Sequence, residues 1–455
     1  MKFRKFGKTV LTAALSSAIV FSLSSCVRSF TVGYLYVTGT VTATPSGNGI
    51  ISGFKIDNNT GKLKALDGLP VSSGGANPVR AVLLTGGNFV YVLNRGTNSS
   101  GGSVCTTTDP CSGATIQEFV VGGNGILTPQ QSFTTQGFNP FRLIQDTSGK
   151  YLFALDHDAP GMTNPNLPSS ASNPNTNCAT IVTGATSCGD ITIFAIDATT
   201  GRLSLVTNAQ LTSSTGTQVP YFPVQANPVD FTLASGYVYT LAGAAGTAQT
   251  YYPYTYNSTS GQLSNTLNSP QPINNGSGSP IEQGTAIVYA GGRVYVLDAE
   301  PLTANGISSL SQIVPFTINT SGALGSQTGG PVPDDPAETD PIYLIIESKG
   351  KFLYVANQQG ASNASGAGIA GYSIDPASSQ LSEDPGSPWG TGANPQCLLE
   401  DPSNQYIYTA SSDSSTVTGK LLDPVSGQLD QMRGSTGTFP LNGPATWCVV
   451  TGRTN

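Results

Sequence analysis

The sequence predicts an all-β fold, a seven-bladed β-propeller that closes by sharing one blade between its N- and C-terminal strands. Three observations lead to this prediction. A short aromatic and aliphatic strand pattern recurs seven times, Gly and Pro are abundant while charged residues are few, and the first and last copies are incomplete in complementary ways. Self-similarity of this kind is the sequence signature of repeat architectures.

The recurring strand alternates aromatic or aliphatic residues of the Tyr-Val-Tyr-Val type, which is typical of half-buried strands. An X-Pro step and an apolar strand precede it, and a strand ending in Phe-x-Ile-Asp with a Thr-Gly turn follows in several copies. Four short strands per copy make one propeller blade. The seven copies of the aromatic strand lie at residues 34–37, 89–92, 151–154, 237–240, 293–296, 352–355 and 406–409.

Composition and the chain ends agree with this architecture. The 455 residues include 54 Gly and 31 Pro with only 10% charged residues, which favours many short strands joined by tight turns. The first copy lacks the strand that should precede it, whereas an extra strand at 446–451 follows Pro444. If these two ends pair, the ring closes without an open sheet edge at the seam. A parallel β-helix is the alternative, although its repeats are usually shorter and need no such complementarity. We predict a monomer.

The N-terminus has the form of an export signal. Four basic residues precede an apolar run at 9–23, and Leu-Ser-Ser-Cys ends at Cys26. This ending resembles the bacterial lipobox, which implies cleavage before Cys26 and acylation of that residue. The predicted organisation is a signal peptide at 1–25, a lipid-anchored tether at 26–32 and the propeller at 33–455. Val27 stands where an aspartate would favour the inner membrane, so we expect an outer-membrane location. Both the periplasmic side and the cell-surface side of that membrane are alternatives. A plain secretory signal is the alternative.

Six cysteines remain after Cys26, an even number that favours disulfides in an oxidising compartment. The spacing favours Cys105 with Cys111 and Cys178 with Cys188, because each pair brackets a short loop, and Cys397 and Cys448 are left over for each other. The last pair would join neighbouring blades across the seam. Two buried free thiols are the alternative there.

Charge and residue content exclude several function classes. Four of the 19 basic residues and none of the 26 acidic residues lie in the first 25 positions, so the rest of the chain is strongly acidic. Nucleic acid is therefore not an expected partner, because its affinity comes from Lys and Arg. A single histidine excludes a site of several imidazoles, and we predict no metal and no cofactor. An acidic loop at 334–340 could bind calcium, but its spacing fits no EF-hand and we expect a solvated loop.

The candidate site lies on the face that carries the longest loops. His157 stands where the longest of them begins, and it is the one side chain whose ordinary pKa suits proton transfer near neutrality. Two residues after each X-Pro step, the chain should reach one level around the central shaft. This level comprises Arg80, Arg142, Asp230, Glu282, Tyr343, Cys397 and Thr446. Such a group could bind an anionic or sugar-like ligand. Alternatively, Arg142 pairs with Asp230 to staple blades, and His157 is a surface loop residue.

The phrase Gly-Lys-Phe-Leu-Tyr-Val-Ala-Asn at 350–357 resembles the YVTN-repeat propellers, and the chain after residue 33 resembles their lactonase-type branch. That branch includes phosphogluconolactonase-like and muconate-cycloisomerase-like enzymes. The resemblance implies catalysis by a histidine, arginines and a glutamate at the mouth. Repeat position assigns the arginines and the glutamate to Arg80, Arg142 and Glu282, and His157 is the one histidine that the chain offers.

Two functions follow from the sequence. The first is a lipid-anchored module at the cell envelope that binds a small molecule or a protein with its loop-rich face, through residues such as Asp230 and Tyr343. The alternative is a lactone hydrolase or isomerase acting on a sugar lactone or a related small anion. His157 should lie within reach of the shaft charges if the enzyme interpretation is right.

Overall fold

The structure is a computed structural model, and it describes residues 29–41, 48–102, 111–160, 176–185, 187–213, 215–266, 270–304, 306–327, 330–360 and 366–452. Seven antiparallel sheets of four or five strands surround a central shaft, which confirms the seven-bladed propeller. A strand hairpin at Leu302–Ala304 and Ile307–Ser309 and a 3-10 turn at Thr176–Thr180 decorate the loops. Among these residues no helix is long and apolar enough to span a membrane.

Each blade begins at the shaft and runs outward. From the first blade to the seventh, the shaft strands are Ala445–Gly452, Pro78–Leu83, Phe138–Gln145, Pro228–Ala234, Gly284–Ala290, Glu338–Ile346 and Pro395–Glu400. The second strands, which carry the aromatic pattern, are Thr31–Gly39, Phe89–Asn94, Tyr151–Asp158, Tyr237–Ala242, Arg293–Asp298, Phe352–Gly360 and Tyr406–Ser411.

The outer half of each blade completes the sheet. The third strands are Asn48–Asp57, Thr115–Val121, Gly189–Ile196, Thr250–Tyr256, Gln312–Ile318, Gly368–Ile374 and Thr416–Leu422. The fourth strands are Leu63–Ala65, Leu127–Phe133, Leu203–Leu205, Leu263–Asn265, Leu324–Ser326, Leu381–Glu383 and Leu429–Gln431. Short segments return to the third strand in every blade but the second, at Val71–Ala76, Phe222–Val224, Gln271–Pro272, Val332–Pro333, Trp389–Gly390 and Thr438–Pro440.

The two ends of the chain close the ring, as the incomplete copies predicted. Ala445–Gly452 pairs antiparallel with Thr31–Gly39, with Val450 opposite Leu35 and Cys448 opposite Val37. The first blade therefore takes its shaft strand from the C-terminal end of the chain and its other strands from the N-terminal part. Pairing at this seam leaves no free strand edge between the first and last blades.

Every shaft strand contains a bulge near the start of its pairing with the second strand, and we call the residue directly before this bulge the entry residue. These entry residues are Pro78, Pro140, Pro228, Gly284, Pro341, Pro395 and Ala445. In five blades an Asn or Asp precedes the proline with φ between 53° and 58°, a left-handed conformation that these two residue types tolerate. A bulge redirects side chains. The residue one position after the entry residue therefore lies beside the mouth of the shaft, and the residue two positions after it occupies the shaft.

Neighbouring blades are joined by a repeated hydrogen bond. The second aromatic residue of the second strand donates its hydroxyl to a glycine carbonyl in the turn between the third and fourth strands of the next blade. The pairs are Tyr36 to Gly125 at 2.7 Å, Tyr91 to Gly201 at 2.5 Å, Tyr239 to Gly322 at 2.8 Å, Tyr354 to Gly427 at 2.7 Å and Tyr408 to Gly61 at 2.6 Å. The last pair links the seventh blade to the first.

The glycine in this turn is required at Gly61. Its φ is 66°, and a Cβ there would lie 2.4 Å from the Tyr406 ring. A side chain at this position would therefore meet both backbone strain and a clash with the neighbouring blade.

Two of the predicted disulfides are present among the described residues. Cys397 and Cys448 have Cα atoms 5.8 Å apart and tie the seventh blade to the closing strand. Cys178 and Cys188, with Cα atoms 5.4 Å apart, close a loop at the mouth. The Cys397–Cys448 bond spans 51 positions. By restricting the unfolded chain, a crosslink over a loop of this length stabilises the folded state by about 4 kcal/mol. Cys105 and Cys26 lie outside the described residues.

Replacing Tyr408 with Phe should lower the free energy of unfolding by about 1–3 kcal/mol, because the buried carbonyl of Gly61 then loses its donor. Urea unfolding followed by circular dichroism measures this change. The matched control is Tyr289→Phe, which removes an exposed hydroxyl contact with Ser235 and should shift stability by less than about 0.5 kcal/mol. Equal effects of the two substitutions would contradict a structural role for the bond between blades.

Candidate functional site

A polar pocket of about 380 Å³ opens at the mouth of the shaft, on the face where the shaft strands begin. Its charged and amide side chains are Arg80, Arg95, Arg142, His157, Gln358 and Gln396. The bulge residues of six blades also line it, at Val79, Phe141, Thr285, Ile342, Gln396 and Thr446. Pro228 of the fourth blade lines it as well, so the repeat geometry brings residues from all seven blades to one cavity.

Arg95 was not predicted from the sequence, although the sequence contains a signal for it. It lies six positions after Phe89, the first residue of its aromatic strand, just as His157 lies six positions after Tyr151. Gln358 occupies the same place relative to Phe352. Three second strands therefore present the same position to the pocket.

Below the pocket, a layer of side chains fills the shaft, and we call it the plug. It consists of Arg80, Arg142, Asp230, Tyr343 and Trp447. The Arg80 guanidinium lies 3.5 Å from the centre of the Trp447 ring, and the Tyr343 ring packs edge-on against Trp447 with centroids 5.1 Å apart. All but Asp230 and Tyr343 also contact the pocket above.

Asp230 joins three blades within the plug. Its Oδ1 accepts a hydrogen bond from Arg142 Nε of the third blade at 2.8 Å, and its Oδ2 accepts one from the backbone N–H of Ile287 in the fifth blade at 3.0 Å. Arg142 and Asp230 therefore form the ion pair between neighbouring blades that was the alternative to a ligand-binding role. Tyr343 likewise lies in the plug and does not line the mouth pocket.

The pocket holds positive charge that the described part of the chain does not pair. The ion pairs among these residues are Arg142 with Asp230 and His157 with Asp158. Burial and the neighbouring charge of Arg142 lower the pKa of Arg80 well below its usual value, and Asp230 and Tyr343 offset this only in part. Burial and Arg142 lower the pKa of Arg95 as well, and its buried Nε has no hydrogen-bond partner.

His157 lies in this pocket with the three arginines, so the geometric condition for the enzyme interpretation is met. Its Nδ1 is 3.2 Å from Asp158 Oδ2, and that oxygen also accepts a hydrogen bond from Asn139 Nδ2 at 3.1 Å. The Phe141 ring packs beside the imidazole with centroids 6.4 Å apart. A carboxylate at Nδ1 fixes the ring and leaves Nε2 as the proton-accepting atom.

Residues 311–449 match the family model described as Lactonase, 7-bladed beta-propeller. This stretch runs from the third strand of the fifth blade into the closing strand, and the seven-bladed ring matches the name of the family. The chain is a seven-bladed propeller, and this stretch of it is similar to the lactonase family. No curated protein matches the sequence.

Several solved structures are similar to this propeller in fold. The periplasmic gluconolactonase of Pseudomonas aeruginosa is 17% identical with a TM-score of 0.59, over 92% of this chain and 99% of that one. A candidate 6-phosphogluconolactonase of Bacteroides fragilis is 16% identical with a TM-score of 0.59, over 92% and 98% of the two chains. One from Bacteroides uniformis is 14% identical with a TM-score of 0.61, over 93% and 100%. At these identities the likeness concerns the fold.

The placement of Glu282 at the shaft level was wrong. In the fifth blade Gly284 opens the pairing opposite Asp298 and Ala286 lies opposite Leu297, so Ala286 is the equivalent of Arg80. Pro280, on which the alignment relied, instead bridges Asn274 in the preceding loop. Glu282 does not line the mouth pocket.

The same correction applies to Thr446 in the first blade. Ala445 lies opposite Gly39 and Trp447 opposite Thr38, so Trp447 holds the shaft level. Thr446 is the bulge residue and lines the pocket above it.

The acidic loop at 334–340 was expected to be solvated, and this expectation was wrong because three of its carboxylates are buried. Asp334, Asp335 and Glu338 are 0%, 2% and 1% exposed. The Tyr372 hydroxyl donates to Asp334 at 2.7 Å, and the Ser387 hydroxyl donates to Asp335 at 3.0 Å. Among the described residues, no group of three or more His, Cys, Asp or Glu could hold a metal ion. Burial and the nearby Asp334 raise the pKa of Glu338 to about 9.

This raised pKa of Glu338 predicts a pH dependence of stability. The folded chain keeps a proton on Glu338 that the unfolded chain releases above its ordinary pKa, so the contribution of Glu338 to stability is fully present below about pH 4.5 and falls as pH rises toward 9. The Glu338→Gln variant should lose part of this decline and be more stable than the wild type at pH 8, by an amount on the order of 1–3 kcal/mol. Urea unfolding at pH 5 and pH 8 measures it.

The matched control for this experiment is Asp430→Asn, which neutralises an exposed carboxylate and should leave the decline between pH 5 and pH 8 unchanged. A Glu338→Gln variant with the pH profile of the wild type would show that Glu338 is ionised in the folded chain.

Proposed function

We propose that the mouth pocket binds a small anionic sugar lactone and hydrolyses it. One observation carries this proposal. A histidine backed by a carboxylate shares a pocket with two guanidinium groups, those of Arg80 and Arg95, that have no carboxylate partner in the described part of the chain. The fold likeness to gluconolactonases supports the same substrate class.

The argument for an anion is energetic. A positive charge removed from water is costly unless it is paired, and the shift in pKa of Arg80 and Arg95 reflects this cost. A carboxylate or phosphate on the ligand would pair with these guanidinium groups, and a planar guanidinium can do so with two parallel hydrogen bonds. The volume of about 380 Å³ falls in the range of small-molecule sites.

The argument for hydrolysis follows from His157. Its Nε2 would take a proton from a water molecule while the water oxygen bonds to the lactone carbonyl carbon. The negative charge that develops on the carbonyl oxygen would be stabilised by the arginines. When the carbonyl re-forms, the ring C–O bond breaks and the imidazolium returns the proton to the ring oxygen, giving the open hydroxy acid. Asp158 would stabilise the imidazolium in between.

A second candidate is a module that only binds its ligand. No carboxylate lines the mouth pocket, so a second acid or base of the kind that the lactonase resemblance implies is missing among its lining residues. This observation favours binding of an anion without chemistry, with His157 serving as a hydrogen-bond donor.

Hydrolysis of a panel of sugar lactones, with and without a phosphate or carboxylate, tests the proposal. We expect His157→Gln to lower kcat by about 100-fold or more with little change in KM, because general base catalysis is worth about 10²–10⁴. Arg95→Gln should chiefly raise KM for the anionic lactones. The control Arg202→Gln changes an exposed arginine in a distant turn and should have no effect. Anion binding without hydrolysis in the wild type would favour the binding module. If the wild type neither bound nor hydrolysed these compounds, both proposed functions would be refuted.

We also propose that the chain is anchored by lipid on Cys26 at the cell envelope, with the outer membrane favoured. Two disulfides among the described residues are consistent with an oxidising compartment. Gly39 pairs beside Ala445 at the mouth, so the first strand enters at Thr31 on the opposite face. The anchor would therefore hold that far face toward the membrane and leave the mouth pocket turned away from it.

The Cys26→Ser substitution tests the anchor. The variant should leave the membrane fraction or accumulate with its leader uncut, because the acylated residue is lost. Cell fractionation followed by immunoblotting measures the distribution, and Cys397→Ser serves as a control that removes a cysteine without touching the leader. Unchanged membrane association of Cys26→Ser would refute the anchor.

A further inference from the structure

The shaft continues below the plug as a second cavity of about 510 Å³, which we call the lower chamber. Arg80, Arg142 and Trp447 contact both cavities, so the plug separates them. We propose that the lower chamber is a second ligand site, which binds a single aliphatic chain that ends in a carboxylate. This inference does not rest on hydrolysis at the mouth pocket, because it concerns the other side of the plug.

The walls of the lower chamber are aliphatic. Six blades place such a side chain four positions after the entry residue, at Val82, Ile144, Val288, Ile345, Leu399 and Val449, and the remaining blade places Thr232 there. Alternate residues of a strand face the same side, so this ring lies directly below the plug residues. An apolar cavity holds water poorly and favours apolar ligands.

The inner end of the chamber is cationic. Arg80 and Arg142 contribute two guanidinium groups there, and Asp230 contributes one carboxylate. Glu400 also lies on the wall, but its carboxylate accepts hydrogen bonds from the backbone N–H and the hydroxyl of Ser348. The carboxylate of a ligand at this end would pair with Arg80, which has no acidic partner in the described ranges. An uncharged alkyl chain would leave that charge unpaired.

The outlet lies on the far face. The chamber shares Leu83, Gln145 and Val450 with an outer cavity of about 600 Å³ that the turn at Gly86 and Gly87 borders. A chain longer than the chamber can therefore extend outward along the shaft. The ligand enters from the side opposite the mouth pocket, which makes the two sites distinguishable by experiment.

Isothermal titration calorimetry with sodium decanoate tests the proposal on the intact protein. We expect saturable binding of one decanoate per chain, with affinity rising about threefold to fourfold per methylene from hexanoate to decanoate as buried apolar surface grows. Decanol should bind at least about tenfold more weakly, because it lacks the charge that pairs with Arg80. Val288→Trp, which fills the chamber, should abolish binding.

Three controls keep the test decisive. Val288→Ala enlarges the chamber and should retain binding, while Val425→Trp adds the same ring at a position that is 85% exposed and should change nothing. Ile345→Phe is a second filling variant, for use if Val288→Trp does not show a cooperative thermal transition. Decanoate binding that survives in both folded filling variants, decanol binding as tight as decanoate, or no binding by the wild type would each overturn the inference.

Discussion

The hydrogen bond from a strand tyrosine to the glycine carbonyl of the next blade is the contact on which the ring depends. It explains why the second strand repeats aromatic residues at alternate positions and why the outer turn repeats glycine. Where the third blade has Phe153 in place of the tyrosine, the preceding Tyr151 donates to the carbonyl of Thr259 in the same turn at 2.7 Å. The first tyrosine of the strand also donates to this turn in two other blades, from Tyr34 in the first and from Tyr237 in the fourth. The third blade therefore keeps one of two tyrosine contacts with its neighbour.

The outer hydrogen bonds and the core between the sheets join the blades in a repeated way, so the residue types at the shaft level can differ from blade to blade. The level two residues after the entry residues holds two arginines, an aspartate, an alanine, a tyrosine, a cysteine and a tryptophan. No repeat rule selects these residues. A charged and aromatic plug can form in a structurally repetitive ring because the repeat fixes only where each side chain lies and in which direction it leaves its strand.

The fold could be predicted because its signal is local and repeated, whereas the site depended on register. The prediction for the shaft level was right at Arg80 and Arg142, where a proline lies directly before the bulge of the shaft strand. It failed in the fifth blade, where Gly284 takes that place and the nearest proline belongs to a loop. Counting from the aromatic strand, whose pairing sets the register, would have found Ala286.

The other differences have a similar cause. Arg95 lies one residue beyond its strand, so the strand pattern does not include it, although His157 occupies the equivalent position within a longer strand. The acidic loop has the local composition of a solvated loop, but Tyr372 and Ser387 reach it from later parts of the same blade. Partners that are distant in sequence decide whether a polar segment is buried, and no local pattern contains that information.

The plug also determines how the two sites would act on each other. Arg80 lies between the mouth pocket and the lower chamber, and its positive charge is repelled by Arg142 and offset by Asp230 and Tyr343. An anion on either side would supply the missing negative charge. Once it is bound, a second anion on the other side gains less from the same guanidinium, so the coupling between the sites is unfavourable. Linkage makes this coupling reciprocal. A carboxylate in the lower chamber weakens anion binding at the mouth pocket by the same factor by which an anion at the mouth pocket weakens carboxylate binding in the lower chamber. A single buried arginine can thus connect two faces of the propeller without any movement of its blades.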